Sequence, residues 1–266
     1  TLDGAGHTIS GTGSDTYGHD GVYVSYSTNV TIKNLSINDF KNGINLTQTN
    51  GATISNNVID DVFAYGLYLY HTNPSPTGTF LINNNQIINA GLNPASARSA
   101  IDVSGFDGNG ACSGTGSFVI QGNTITSGIG TGITIDAANS CIDNNSISGK
   151  GVGVHVSGPG YNDAQSNNNI ISNNQISSNT NSGIVVVGSG NTFDSNTSNN
   201  SQHGFKFDYR SQNNIVTNNV ANSNSEHGFY FYDASLGHTF TDNSATSNGL
   251  NDFQGITQVS SDVTSP

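Results

Sequence analysis

The chain has 266 residues and a formal net charge of −12, from 6 Lys and Arg against 18 Asp and Glu. This acidity argues against a nucleic-acid partner, because a phosphate backbone would be repelled over most of the surface. Apolar runs stay far below the length of a membrane span, so we expect no span in this segment.

A repeat of about 22 to 24 residues recurs along the chain. Each copy contains a Gly followed by an apolar-x-apolar triplet and, later, an apolar-x-Asn-Asn-x-apolar segment. Alternation within each triplet has the period of a half-buried strand. The triplets are, in chain order, Gly21–Val24, Gly43–Leu46, Gly66–Leu69, Gly132–Ile135, Gly153–Val156, Gly183–Val186, Gly204–Phe207 and Gly228–Phe231, with degenerate copies at Ala100–Val103 and Asp252–Gln254.

One copy is too short to bury its own apolar residues, so the copies must stack and share a continuous core. Three short strands per copy, joined by Asn, Gly and Ser, predict an all-β, single-stranded parallel β-helix solenoid of about ten rungs. We expect this domain to span residues 1–256 and a linker or tail to follow at residues 257–266. The chain lacks Met and begins inside a rung, so we expect further chain at both ends.

Asparagine is normally a poor strand residue, so its regular recurrence needs its own explanation. Asn tolerates left-handed backbone angles, and its amide can bond an equivalent Asn one rung away, at about 4.8 Å. We therefore expect an asparagine ladder along the solenoid. Its predicted members are Asn57, Asn85, Asn123, Asn145, Asn174, Asn196, Asn219 and Asn243.

Three segments, Leu2–Ile9, Thr28–Leu35 and Ile54–Asn57, resemble the right-handed parallel β-helix repeat proteins. That group includes pectate-lyase-like polysaccharide lyases, alginate epimerases and NosD-like periplasmic proteins. The resemblance implies a right-handed solenoid and an association with carbohydrate. It does not define a reaction, because the matching residues are those that build rungs.

Four insertions interrupt the repeat, at residues 72–79, 89–99, 105–117 and 157–168. Three of them follow the same strand of their rung and therefore lie on one flank. Long loops on a rigid scaffold concentrate binding and catalysis. We expect them to wall a groove across rungs three to six.

The floor of this groove is predicted from the outward positions of the Gly-led strands, which are Tyr68, Tyr70, Asp102, Ser104, Thr134, Asp136, His155 and Ser157. Aromatic faces stack on sugar rings, and carboxylates bind hydroxyl groups or a metal. Tyr68 and Tyr70 are therefore candidate substrate-binding residues. Arg98 and Lys150 precede two of the triplets and are candidates to meet a substrate carboxylate.

Three polysaccharide chemistries are compatible with this floor. Lyase or epimerase action on a uronic acid needs a cation, a base and an acid, which Arg98 or Lys150, His155 and a tyrosine would supply. Hydrolysis needs two carboxylates; Asp102 and Asp136 are expected to have backbones roughly 8 Å apart, compatible with an inverting enzyme. The catalytic candidates are thus Asp102, Asp136 and His155.

The sequence departs from the enzymes that it resembles. Alginate epimerases carry a Tyr-Gly-Phe-Asp-Pro-His motif on such a strand, whereas Tyr65–Tyr70 lacks both Asp and His. Catalysis therefore stays open beside simple binding of polysaccharide. The alternative is a structural surface protein, such as an adhesin or filament component, that contacts other subunits or domains through its uncapped ends.

The cysteines, two stacked histidines and two acidic turns add three further expectations. Cys112 and Cys141 are predicted to form a disulfide, which would indicate an extracellular, cell-surface or periplasmic location. His203 and His227 occupy one position in successive rungs, and without an obvious third ligand we expect ring stacking and no metal site. Calcium is a possible cofactor at Asp60–Asp61 or Asp107–Gly110.

Overall fold

The computed structural model describes residues 1–12, 18–70, 78–93, 98–106, 118–157, 166–233, 237–255 and 263–264. Their regular structure consists of short strands and turns, and these residues contain no helix that could cross a membrane.

The strands are, in chain order, β1 Leu2–Asp3, β2 Thr8–Ser10, β3 Asp20–Ser25, β4 Thr28–Lys33, β5 Ser36–Asn38, β6 Asn42–Thr47, β7 Asn50–Ser55, β8 Val58–Val62, β9 Leu67–Tyr70, β10 Phe80–Asn83, β11 Gln86–Ala90, β12 Ile101–Phe106, β13 Phe118–Gln121, β14 Thr124–Thr126, β15 Thr131–Ala137, β16 Cys141–Asp143, β17 Ser146–Ser148, β18 Val152–Val156, β19 Ile170–Ser172, β20 Gln175–Ser177, β21 Ser182–Val186, β22 Thr192–Asp194, β23 Thr197–Asn199, β24 His203–Phe207, β25 Ile215–Thr217, β26 Val220–Asn222, β27 His227–Phe231, β28 Thr239–Thr241, β29 Ser244–Thr246, β30 Asn251–Gln254 and β31 Val263–Thr264.

Every third strand joins the same parallel sheet, so three sheets run the length of the molecule. The first sheet contains ten strands from β1 to β28, the second eleven from β2 to β31, and the third ten from β3 to β30. The predicted all-β parallel β-helix is therefore confirmed. Two residues of the predicted tail, Val263–Thr264, pair with β29, whereas residues 256–262 lie outside the described part.

A single hydrophobic core fills the space between the sheets. Within the third sheet the inward residues align from rung to rung; Ile184 pairs with Phe205, which pairs with Phe229. The rings of Phe205 and Phe229 stack with centroids 4.7 Å apart, and both residues are fully buried. The apolar positions of each triplet thus become a continuous stack along the axis.

The glycine that leads each triplet is explained by close approach of neighbouring rungs. A Cβ on Gly132 would lie 2.5 Å from the Gly153 carbonyl oxygen and 2.6 Å from Cγ2 of Ile147. Both contacts are shorter than van der Waals packing allows, so a larger residue would force the third sheet away from the second.

The predicted ladder residues lie buried in one row at the corner between the first two sheets. Nδ2 of Asn145 donates to Oδ1 of Asn174 at 3.0 Å, and the Asn145 backbone N–H donates to the same oxygen at 2.9 Å. Corresponding side-chain bonds of 2.9–3.0 Å join successive members from Asn57 to Asn243. The preceding Asn of each pair, such as Asn144, has a left-handed backbone, with φ of 52°.

Two further polar rows occupy the other corners, and the sequence analysis missed both. One runs through Asn169, Asn191 and Asn214, and the other through Asn179, Ser201, Asn224 and Asn248. In each row a side-chain oxygen accepts the backbone N–H of the preceding rung. Backbone N–H groups buried in the turns therefore have side-chain acceptors at all three corners.

We expect Asn174→Ala to lower the free energy of unfolding by about 3 kcal/mol. The substitution leaves the backbone and side-chain N–H groups of Asn145 without their acceptor, and the carbonyl of Ile142 without a donor. Urea titration measures the change. Gln175→Ala, at the adjacent exposed position, is the matched control and should cost less than about 0.5 kcal/mol. Equal losses would show that the ladder contributes little.

Candidate functional site

The outward face of the third sheet carries the predicted floor residues in two rows. Tyr68 pairs with Asp102, which pairs with Thr134, which pairs with His155. In the second row Tyr70 pairs with Ser104, which pairs with Asp136. Period-two alternation had placed these residues on one face, and parallel pairing without a register shift across these positions brings them side by side.

Aromatic and cationic side chains meet at the start of this face. The Tyr65 and Tyr68 rings stack with centroids 4.3 Å apart, and Tyr70 continues the stack at 5.9 Å from Tyr68. The Arg98 guanidinium lies over the Tyr65 ring, 5.4 Å from its centroid. Burial raises the pKa of the Tyr68 hydroxyl, so that hydroxyl stays protonated and available as a hydrogen-bond donor at neutral pH.

These side chains line an open pocket of about 360 Å³, which we call the tyrosine pocket. It is bounded by Lys41, Asn42, Asn45, Phe63, Ala64, Tyr65, Tyr68, Asn93 and Arg98. Tyr68 and Arg98 are candidates from the sequence, whereas Tyr65, Lys41 and the asparagines are not. The run Tyr65–Tyr70, with three tyrosines, was the signal that could have identified the pocket.

Asp102 is a buried carboxylate whose oxygens are already engaged. Ser99 Oγ donates to Oδ2 at 3.1 Å, and Ser104 Oγ donates to Oδ1. Burial is the main cause of a raised pKa for Asp102, and the two serine bonds oppose it. With 8% of its surface exposed, Asp102 has little area with which to contact a polysaccharide directly.

Asp136 and His155 are the more accessible of the catalytic candidates. Both are partly buried, and burial raises the pKa of Asp136 while it lowers the pKa of His155. The lowered pKa favours the neutral imidazole of His155, which donates one hydrogen bond through one ring nitrogen and accepts one through the other. Asp136 lies one strand and two residues from His155, since Thr134 pairs with His155.

Lys150 does not face the groove. It is 1% exposed, and its Nζ donates to the carbonyl oxygens of Ala90 at 2.7 Å and Ser127 at 2.8 Å. The Lys150 backbone N–H donates to Oδ1 of Asn179, so Lys150 occupies a position in the corner row that continues through Asn179, Ser201, Asn224 and Asn248. The ammonium replaces an asparagine amide as donor to interior carbonyls, and burial lowers its pKa to about 8.

Most of the predicted groove walls lie outside the described residues, as do Cys112 and Asp107–Gly110. The disulfide to Cys141 and the calcium site in that loop therefore stay predictions. At the other calcium candidate the Asp61 backbone N–H donates to Oδ1 of Asp60 at 2.9 Å, and Asn89 donates to Asp61 at 3.1 Å. A calcium site there is still a prediction.

A second cluster lies further along the same face. The His203 and His227 rings are parallel within 4°, with centroids 5.4 Å apart, so the predicted stacking is present. Glu226 is the residue that the sequence analysis missed: its Oε2 lies 3.6 Å from Nε2 of His203. Glu226 directly precedes His227 and is the only glutamate of the chain, which was the available signal.

Among the described residues, His203, Glu226 and His227 are the one group of three potential metal ligands whose donor atoms come close, all within 4.8 Å of one another. They line an open pocket of about 420 Å³, together with Lys206, Asp208, Tyr209, Tyr230 and Tyr232.

Two protein families match the sequence. Residues 109–265 match the family described as right-handed beta helix region, and residues 5–164 match the family described as periplasmic copper-binding protein (NosD). No curated protein matches the chain significantly. Copper favours Cys, Met and imidazole ligands. In the described part of residues 5–164, no three His, Cys, Asp or Glu side chains lie close enough to hold an ion, so the residues there do not fit a bound copper.

Solved structures share the fold at low sequence identity. A mutant of the periplasmic alginate epimerase AlgG matches with a TM-score of 0.54 and 17% identity, over 91% of this chain and 69% of that protein. The A-module of the Azotobacter vinelandii mannuronan C-5 epimerase AlgE6 matches with a TM-score of 0.53 and 18% identity, over 90% of this chain and 65% of that module. The chain thus spans about two thirds of their length, and the likeness shows the fold alone.

We expect Asp102→Asn to change how stability depends on pH. Because burial raises the pKa of Asp102 in the folded state, wild type loses stability relative to the variant as pH rises from about 4 through that raised value. Urea midpoints at pH 4 and pH 7 measure this. The stability of the variant relative to wild type should be higher at pH 7 than at pH 4. A stability difference that is constant with pH would show that folding does not raise the pKa of Asp102.

Proposed function

We propose that this chain, which belongs to the right-handed β-helix repeat family, binds an acidic polysaccharide on the outward face of its third sheet. The tyrosine pocket is the observation that carries this proposal. It combines two stacked tyrosine rings with the cations Arg98 and Lys41, beside Asn42 and Asn45, whose side-chain N–H groups donate to Asp20.

A uronate residue offers a ring with an apolar face, several hydroxyl groups and one carboxylate. Aromatic side chains pack against the ring face, tyrosine hydroxyl groups bond sugar hydroxyl groups, and a guanidinium binds a carboxylate through two parallel hydrogen bonds. Two of the six Lys and Arg residues of this acidic chain line the pocket. This concentration of positive charge favours a uronate over a neutral sugar.

The face also suits an extended ligand. Equivalent outward side chains repeat at each rung, about 4.8 Å apart, so polar groups continue beyond the pocket at Thr134 and His155. A linear polymer lying along the solenoid axis would contact several rungs at once. Each added contact raises the apparent affinity without a new kind of site.

Binding, with turnover left to experiment, is the function that the described residues support best. A lyase or epimerase needs an accessible base and a cation at the carboxylate. The Asp102 carboxylate is buried and accepts hydrogen bonds from two serines, and Lys150 is buried. Asp136 and His155 are therefore the catalytic candidates that stay accessible on this face.

Location follows from the same proposal. The alginate epimerase AlgG and the NosD family are both described as periplasmic. A polysaccharide ligand and the predicted disulfide of Cys112 with Cys141 agree with a periplasmic or extracellular place of action.

Calorimetric titration with oligouronates and with neutral oligosaccharides of equal length tests the proposal. We expect wild type to bind the oligouronate at least tenfold more tightly, and added salt to narrow the gap. Arg98→Gln and Tyr68→Ala should each weaken oligouronate binding about tenfold or more, a loss of roughly 1.4 kcal/mol.

Lys33→Gln is the matched control, because Lys33 carries the same charge on the first sheet and pairs with Asp3. The Lys33→Gln variant should bind the oligouronate with the same affinity as wild type. Following reducing ends and the ultraviolet absorbance of unsaturated uronate in the same samples reports any turnover. If wild type binds no glycan, the proposal fails and a structural surface module becomes the better account.

A further inference from the structure

A second set of outward side chains, some rungs beyond the tyrosine pocket, has the composition of a metal site. We propose that His203, Glu226 and His227 together bind one transition-metal ion of the Zn²⁺ or Cu²⁺ class. The three residues come from two adjacent strands, β24 and β27, with Glu226 immediately before β27. They lie after residue 164, beyond the segment that matches the family described as copper-binding.

Both imidazoles are held in place before any ion arrives. His203 pairs with His227 in the ladder of the third sheet, so their backbones are fixed one rung apart. The Tyr230 ring packs against both rings, with centroids 5.4 Å from His203 and 5.3 Å from His227. Pre-ordered ligands lose little conformational freedom on binding, which favours affinity.

Hydrogen bonding within the chain does not satisfy the two rings. His203 and His227 are 6% and 8% exposed, and Nδ1 of each is buried without a hydrogen-bond partner. Native structures retain few buried polar atoms without a partner. Nε2 is the other nitrogen of each ring, and Nε2 of His203 is the one that faces Glu226, 3.6 Å from Oε2.

Glu226 completes the donor set and is itself oriented. Nε2 of Gln202, one rung back, donates to Oε1 of Glu226 at 2.7 Å, which leaves Oε2 facing His203. An outer hydrogen bond of this kind is the usual support of a metal-binding carboxylate. The carboxylate also supplies negative charge beside the two imidazoles.

The donor atoms need a modest inward movement to bind an ion. They lie within 4.8 Å of one another, whereas ligands about 2.1 Å from a tetrahedral ion are roughly 3.4 Å apart. Glu226 has a 37% exposed side chain and can rotate towards the ion, while the two stacked imidazoles must tilt towards each other. Two imidazoles and one carboxylate suit Zn²⁺ or Cu²⁺ and not Ca²⁺ or Mg²⁺, which prefer oxygen ligands.

The surroundings leave one side of the ion open. The pocket in front of the ligands is lined by Lys206, Asp208, Tyr230 and Tyr232, among others. Asp208 in that lining already pairs with Arg210, whose Nε lies 3.2 Å from Oδ1, so Glu226 is the carboxylate that remains for a cation. A fourth coordination position would face this pocket and be filled by water.

Calorimetry on the untagged, chelator-treated chain, with Zn²⁺ and separately Cu²⁺ as titrants, tests the proposal. We expect one ion per chain and a rise in the thermal midpoint of unfolding. His203→Gln and His227→Gln should each weaken binding about 100-fold, and Glu226→Gln about 10-fold. With Cu²⁺, electron paramagnetic resonance should report two nitrogen ligands in wild type and one in His227→Gln.

His7→Gln is the matched control, because His7 is exposed in the first rung and should leave binding unchanged. Circular dichroism confirms that each variant is folded, and Glu226→Gln, at the rim, keeps the test valid if a histidine variant is not. Absence of stoichiometric binding by wild type would overturn the proposal. So would equal affinity in wild type and in the three variants, which would indicate scattered surface carboxylates.

Discussion

Every rung of this molecule must be compatible with its neighbours at a separation of about 4.8 Å, and hydrogen bonding at the turns imposes the strictest part of that requirement. The turns carry buried backbone N–H groups that no strand partner can reach. Asparagine meets the need because one Oδ1 accepts both the N–H and the Nδ2 of the rung before, as Asn174 does for Asn145. This bond fixes the register, so a residue at one position of a rung lies directly over its counterpart in the next.

Fixed register converts repetition in sequence into rows of side chains in space. Inward rows form the core, where Phe205 stacks on Phe229. Outward rows are free of packing demands and can vary from rung to rung. Function on such a scaffold therefore depends on which residues occupy a few outward positions, while the backbone that presents them stays the same.

The fold could be predicted because the ladder and the Gly-led triplets recur with one spacing. The outward floor was equally readable, since alternation within a strand decides which face a side chain occupies. Lys150 could not be placed this way, because it lies in a turn where alternation gives no direction. Its backbone occupies a corner position otherwise held by Asn or Ser, and its ammonium bonds interior carbonyls as an amide would.

Asp102 and Glu226 show a second limit of reading from sequence. Asp102 alternates outward as predicted, yet Ser99 and Ser104 surround its carboxylate, and that depends on local turn geometry. Glu226 lies before its strand begins, so no strand period includes it. Its approach to His203 follows from the register of His203 with His227.

The two proposed sites use the same two positions of the repeat. Tyr65 and His227 each directly precede a triplet glycine, and Tyr68 and Tyr230 each occupy the middle of the triplet that follows. In both cases the ring before the glycine packs on the ring within the strand, with centroids 4.3 Å and 5.3 Å apart. What differs is the charge brought alongside: Arg98 at the first and Glu226 at the second. In these two proposals one backbone position presents an anion site in one rung and a cation site in another, because a solenoid fixes geometry by its repeat and leaves chemistry to the individual residue.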